Sequence, residues 1–217
     1  SKLRCPRWGY SRITKNMEKL FRPSCHLAAM WFHGKRLSLF VSDEDLRKNS
    51  ETQMEMLAVA LSELHQTCRQ LPLHFHLQQD NCYREGKNQF IINFMLILVI
   101  LGVFRQTSLG FLRTAHSHED VDQVFGQLAR LIKGKCFDSA NDLVRLIKDA
   151  ATAKPSQQDA GSTSRVRSSG SAVRVAKLDE VTPWKNWVAQ TGLSFKGLRG
   201  PAGTHLSYFT FPSNGPV

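Results

Sequence analysis

Two clusters in this sequence have the residue types and spacing that phosphoryl-transfer chemistry uses. The first is Asp80-Asn81-Cys82-Tyr83-Arg84-Glu85-Gly86-Lys87-Asn88, and the second is His116-Ser117-His118-Glu119-Asp120-Val121-Asp122-Gln123. Each offers carboxylate oxygens, which hard ions such as Mg²⁺ prefer, beside cations or imidazoles able to meet a phosphate. In two-metal catalysis one ion activates the attacking water or hydroxyl and the other stabilises the leaving oxygen, so the carboxylates must converge. Simpler readings stand beside this one. Asp80-Asn81 also fits a turn and helix-cap pair, because both side chains bond local backbone readily. Glu119 and Asp120 fit first-turn helix acids favoured by the dipole, whereas Asp122 lies one turn after His118 and can share its face. His116 and His118 fit metal ligands, general acids, phosphate donors or caps. Arg84 and Lys87 fit phosphate contacts or loop solvation.

These residues need elements to hold them. Residues 26–32 and 37–41 are apolar runs joined by His33-Gly34-Lys35, which predicts two antiparallel strands. Apolar residues at 54, 57, 58, 61, 64 and 68 recur at helical spacing behind Asn49-Ser50, so a helix is expected over 50–70. Leu71-Pro72 stops it, and 73–78 alternates as a half-buried strand that runs into Asp80. An apolar helix over 88–102 closes at Gly102, a strand follows over 107–113, and helices are expected over 118–133 and 138–150. Residues 152–172 are rich in Ser, Gly, Ala and Gln, without aromatics, and read as linker. Thr182-Pro183-Trp184 reads as a helix start, with Trp184 and Trp187 on one face as packing residues, and 206–211 reads as a final strand.

That order is strand, strand, helix, strand ending at Asp80, helix, strand, helix opening with acids. It is the ribonuclease H-like order with the first strand absent. The expected fold is therefore an α/β, ribonuclease H-like mixed sheet flanked by helices, with ligands gathering at strand ends. The chain divides into a basic arm at 1–24, a core at 25–150, a flexible linker at 151–178 and a small helix-strand extension at 179–217.

The two clusters, with the apolar helix between them, resemble domain-of-unknown-function family 7869, which is similar to transposase and integrase catalytic domains. Its pattern has a Gln-x-Asp-Asn, an Asn-Lys-Asn and a His-Thr-His-Glu-Asp-Ile-Asp-Gln block. Here Gly86 stands where the family usually has Asn, and Ser117 where it has Thr. Weaker similarity covers the opening Lys-x-x-x-Pro-Arg, Trp184-Lys185-x-Trp187 and His205 to Phe211. The resemblance implies a DDE-type site on DNA, with Asp80 as second acid and Asp122, ahead of Glu119, as third. His118 would stand beside them, and Mg²⁺ or Mn²⁺ would be bound by Asp80 and Asp122. The first acid would come from an Asp-Gly-Met-Asp-Gln-like segment preceding Ser1, so the chain as given is expected to hold two-thirds of the site and to be incomplete or inactive. The alternative reading is a domesticated, non-catalytic module that binds nucleic acid or protein.

Charge distribution bears on the partner. The chain carries 29 Lys and Arg against 18 Asp and Glu. Residues 1–36 hold nine basic and one acidic residue, 37–150 hold twelve and fourteen, and 151–217 hold eight and three. Basic flanks around a neutral middle fit a polyanion such as DNA, through Arg4, Arg7, Arg12, Arg84 and Lys87, and equally fit cations kept for solubility. Five Cys at 5, 25, 68, 82 and 136, with no C-x-x-C, argue against a disulfide framework or a zinc site and for a reducing compartment. No signal peptide opens the chain, and Phe90 to Phe104 is shorter than the ~20 residues a bilayer span needs. An intracellular protein off the membrane is expected, nuclear if DNA is its partner. There is no Walker loop, G-x-G-x-x-G, G-x-S-x-G or H-E-x-x-H, so nucleotide-cofactor, serine-hydrolase and zinc-protease chemistries have no residues to rest on.

Overall fold

A computed structural model describes residues 2–5, 7, 22–68, 70–79, 87–111, 120–152, 172–193 and 208–212. They form mixed α/β structure that divides into two compact units, Ser1–Leu46 with Ser117–Glu180, and Arg47–His116 with Val181–Val217. Five helices and seven strands are described.

The first unit is built on the expected hairpin. Strands β2 (Ser24–Phe32) and β3 (Arg36–Ser42) pair antiparallel from His26↔Ser42 to Phe32↔Arg36. Gly34 closes the turn with φ of 69°, a conformation costly for residues with a Cβ. Strand β1 (Lys2–Arg4) adds to the β2 edge, and β6 (Ala172–Leu178) adds parallel to β3, giving the order β1-β2-β3-β6. Residues 172–178 were expected in the linker. They form a strand because β3 supplies a full ladder from Arg36↔Ala172 to Ser42↔Leu178, and because Val173 and Val175 fall on the same face as Leu37 and Leu39. At the carboxyl ends of these two strands Lys177 bridges Asp43 (2.9 Å) and Asp179 (2.7 Å), which hold its pKa above the usual lysine value.

Two amphipathic helices are part of this unit's core. In α3 (Asp120–Ile132), Val124, Leu128, Leu131 and Ile132 recur at helical spacing; in α4 (Ala140–Thr152), Leu143, Val144 and Ile147 do so. Together with Leu27, Leu37, Leu39 and Val41 they make one buried cluster. Each fully buried Leu or Ile contributes about 1.5–3 kcal/mol relative to exposure. Ser139 caps α4: its Oγ accepts from the Asp142 N–H (3.2 Å) and donates to the Asp142 carboxylate (2.8 Å).

The second unit opens with α1 (Ser50–Cys68), capped by Asn49, whose Oδ1 accepts from the N–H groups of Glu51 (2.9 Å) and Thr52 (3.1 Å). Strand β4 (His74–Gln79), helix α2 (Gln89–Ile100) and strand β5 (Gln106–Phe111) follow as a parallel strand–helix–strand unit, with β7 (Tyr208–Pro212) antiparallel on the far side of β5. Helix α2 is apolar on most of its surface because it packs against β5, α1, β7 and the short helix α5 (Trp184–Gln190). Its one polar interruption, Asn93, is buried and donates to the Leu193 carbonyl (3.1 Å), while Thr107 of β5 donates to the Met95 carbonyl (3.1 Å).

The Trp-Lys-x-Trp motif is a packing element, as expected. Trp184 stands edge-on to Phe94 and Trp187, with centroids 5.4 and 5.6 Å away. The Glu55 carboxylate accepts from the Trp184 indole N–H and the Thr182 N–H, each at 2.8 Å. Among the described residues no helix is long and apolar enough to cross a membrane.

Candidate functional site

Strands β4 and β5 run parallel in register from His74↔Gln106 to Gln79↔Phe111, so their carboxyl ends lie side by side. In open α/β structures this edge is where ligands collect, because helix N-termini and strand-end side chains meet there. Gln79 is the last residue of β4, and Asp80 is the next residue of the chain. Asp80 itself, with Asn81 and Arg84, lies outside the described residues, as do Arg12, His116, His118 and Glu119.

The described rim of this edge is made by Gln79, Lys87 and Phe111. Gln53 of α1 donates its amide to the Gln79 Oε1 (3.4 Å), whereas the Gln79 Nε2 is buried with no hydrogen-bond partner among the described residues. Asn88 caps α2 by accepting from the N–H groups of Phe90 (3.1 Å) and Ile91 (3.3 Å). Immediately before it, Lys87 is only 1% exposed, and its ammonium lies 5.2 Å from the centroid of the Phe111 ring. Burial penalises the charged form and lowers its pKa. The ring face offsets part of that penalty, by about 1–2 kcal/mol for a desolvated cation. Lys87, read from sequence as a phosphate contact or a loop-solvating cation, is therefore a buried cation beside the end of β5. Nothing in the local sequence signals this, since a Lys ahead of an Asn cap reads as surface.

Asp122 lies in the first turn of α3, in the first unit. It is exposed, on the side opposite Val124 and Leu128, and among the described residues its carboxylate makes no ion pair or hydrogen bond. The chain around Asp80 belongs to the second unit. Of the basic candidates, Arg4 is exposed on β1. Arg7 is half-buried and is bonded through its backbone to Phe137 in both directions, at 2.8 and 3.1 Å. His76 is paired through Nδ1 with the Ser108 hydroxyl (2.7 Å), its cross-strand neighbour. Among the described residues no group of three or more His, Cys, Asp and Glu side chains could hold a metal ion.

Sequence reasoning missed the Gln53–Gln79 contact and the burial of Lys87. It also missed a pair of thiols, Cys5 and Cys25, brought to 3.5 Å by the β1–β2 register. A family model described as a domain of unknown function (DUF7869) matches residues 15–202. No curated protein and no solved structure matches the chain.

Proposed function

The chain belongs to the DUF7869 family, and from that premise we propose that it is a transposase- or integrase-derived domain of ribonuclease H-like ancestry, acting on DNA phosphodiesters with Mg²⁺ or Mn²⁺. The observation that carries this reading is the parallel β4–α2–β5 unit, whose carboxyl edge is continuous in the chain with Asp80. An acid following such a strand is well sited for a hard cation. Asp122, exposed in the first turn of α3, is the second carboxylate that this reading assigns to the ion. The ion would activate a water or hydroxyl and stabilise the leaving oxygen. The chain's own residues would bind it through the two carboxylates, with Glu119 and His118 flanking Asp122 in sequence.

Mn²⁺ titration followed by electron paramagnetic resonance, with nicking of supercoiled plasmid in the same buffers, tests this. Binding should weaken at least ~10-fold in both Asp80→Asn and Asp122→Asn, as expected when one of few charged ligands is neutralised. Any nicking should require the metal and vanish in both variants. Unchanged binding and nicking in Asp80→Asn would refute the assignment.

A second reading, a non-catalytic nucleic-acid-binding module, is favoured by the nine basic residues against one acidic residue in positions 1–36 and by the exposure of Arg4. It predicts DNA binding that falls steeply with salt, through counterion release, without metal-dependent turnover. No binding at low salt removes it.

A further inference from the structure

The β1–β2 ladder continues one step past its last paired residues: the Cys5 N–H donates to the Pro23 carbonyl (2.8 Å), beyond Arg4↔Ser24. Cys5 therefore stands diagonal to Cys25 on the helix-covered face of the sheet. Both side chains are buried, at 5% and 1% exposure, within the cluster formed with Leu27, Val41 and Phe137. Their sulfurs are 3.5 Å apart, and both are free thiols. A disulfide holds its sulfurs at about 2.0 Å, so the bond requires the two sulfurs to approach by about 1.5 Å from their observed separation.

We propose that Cys5 and Cys25 are a reversible dithiol–disulfide latch, whose oxidised state ties β1 covalently to β2. In the dithiol state β1, a strand of three residues, is held to β2 by its ladder of hydrogen bonds. Strands this short open at low free energy. The disulfide makes that pairing covalent.

The chemistry balances with a low-molecular-weight disulfide as oxidant. Burial pushes the Cys25 thiol up to about 12 and raises Cys5 as well, so neither reacts readily with a disulfide from solvent while the sheet is closed, and Cys25 reacts only with a disulfide already held beside it. Opening of β1 exposes Cys5. Its thiolate attacks one sulfur of the oxidant, forming a mixed disulfide and expelling one thiolate, which takes up the Cys5 proton. Re-pairing of β1 returns the mixed disulfide to Cys25. Cys25 displaces the second thiolate, which takes up the Cys25 proton. Two S–H bonds of the protein and one S–S bond of the oxidant are exchanged for one protein S–S bond and two small thiols. Loop closure across a span of this length lowers the unfolding equilibrium constant by a factor on the order of 100.

The test uses the full chain, folded by circular dichroism, incubated with oxidised glutathione and then with dithiothreitol. Peptide mapping under non-reducing conditions should find Cys5 linked to Cys25, with Cys68, Cys82 and Cys136 outside the linkage, and dithiothreitol should reverse it. Exchange of the Cys5 amide hydrogen should slow by at least ~10-fold on oxidation, since its protection depends on β1 staying paired. In Cys25→Ser, Cys5 should stop at the mixed disulfide with glutathione; in Cys5→Ser, Cys25 should stay unmodified while folded. Absence of the linkage in folded protein, linkage to another cysteine, or unchanged exchange at Cys5 each overturns the latch. The wild-type mapping decides the matter if either variant fails to fold.

Discussion

Glu55 is the residue through which the late Trp-Lys-x-Trp segment is tied to α1, and its removal has a calculable cost. Its carboxylate accepts two hydrogen bonds of 2.8 Å, from the Trp184 indole and the Thr182 backbone. The Thr182 N–H is exposed and water replaces the lost acceptor there, so that bond contributes little. The indole N–H is part-buried between Phe94 and Trp187, and a bond from it to a charged acceptor is worth about 1.5–3 kcal/mol. Glu55→Ala should therefore cost about 2 kcal/mol, a fall in Tm of about 4–8 °C for a chain of this size. Glu55→Gln, which keeps a carbonyl acceptor, should cost about half as much. The decisive measurement is a double-mutant cycle with Trp184→Phe, by urea denaturation. Losing the indole donor should make Glu55→Ala nearly silent, with a coupling of about 1–2 kcal/mol. A coupling within ~0.3 kcal/mol of zero, the scatter of independent sites, would show that the bond does not hold the segment.

Two pH-dependent outcomes follow from other buried or capped groups. Burial lowers the Lys87 pKa below 10.5, so between that lowered value and 10.5 the unfolded chain holds a proton that the folded chain has released. Stability should rise with pH across that window, and the rise should disappear in Lys87→Met, read by chemical denaturation at stepped alkaline pH. Ser139→Ala removes the α4 cap and should cost ~1 kcal/mol at neutral pH. The Ser139 hydroxyl also holds the Asp142 carboxyl below its ordinary value of 3.8. That contribution is present above 3.8 and is lost as pH falls through the folded value, so the acid limb should be shallower in Ser139→Ala than in wild type.

How much of this was legible in advance depended on whether the signal was local. The hairpin joins two apolar runs through a Gly34 turn, and it forms where that pattern predicts. Helices α1, α3 and α4 follow apolar spacing and α2 a continuous apolar run, with Asn49, Asn88 and Ser139 capping α1, α2 and α4, all readable within a few residues. Strand β6 was not readable, because Ala172-Val173-Arg174-Val175 becomes a strand only through a partner 136 residues earlier, and its flanks have linker composition. The same limit separated one expected mixed sheet from the two mixed sheets described.

Residue types and short-range periodicity by themselves determined the helices, the first hairpin, the strand–helix–strand order between them and the acids offered for chemistry. The tertiary structure alone decided which side chains lose water. It buried Lys87 against Phe111, left Asp122 exposed, and set two thiols twenty positions apart within contact. The reason is physical. Hydrogen-bonded turns and amphipathic faces arise between residues a few positions apart, whereas desolvation and cross-strand register depend on segments that meet only after the chain has folded.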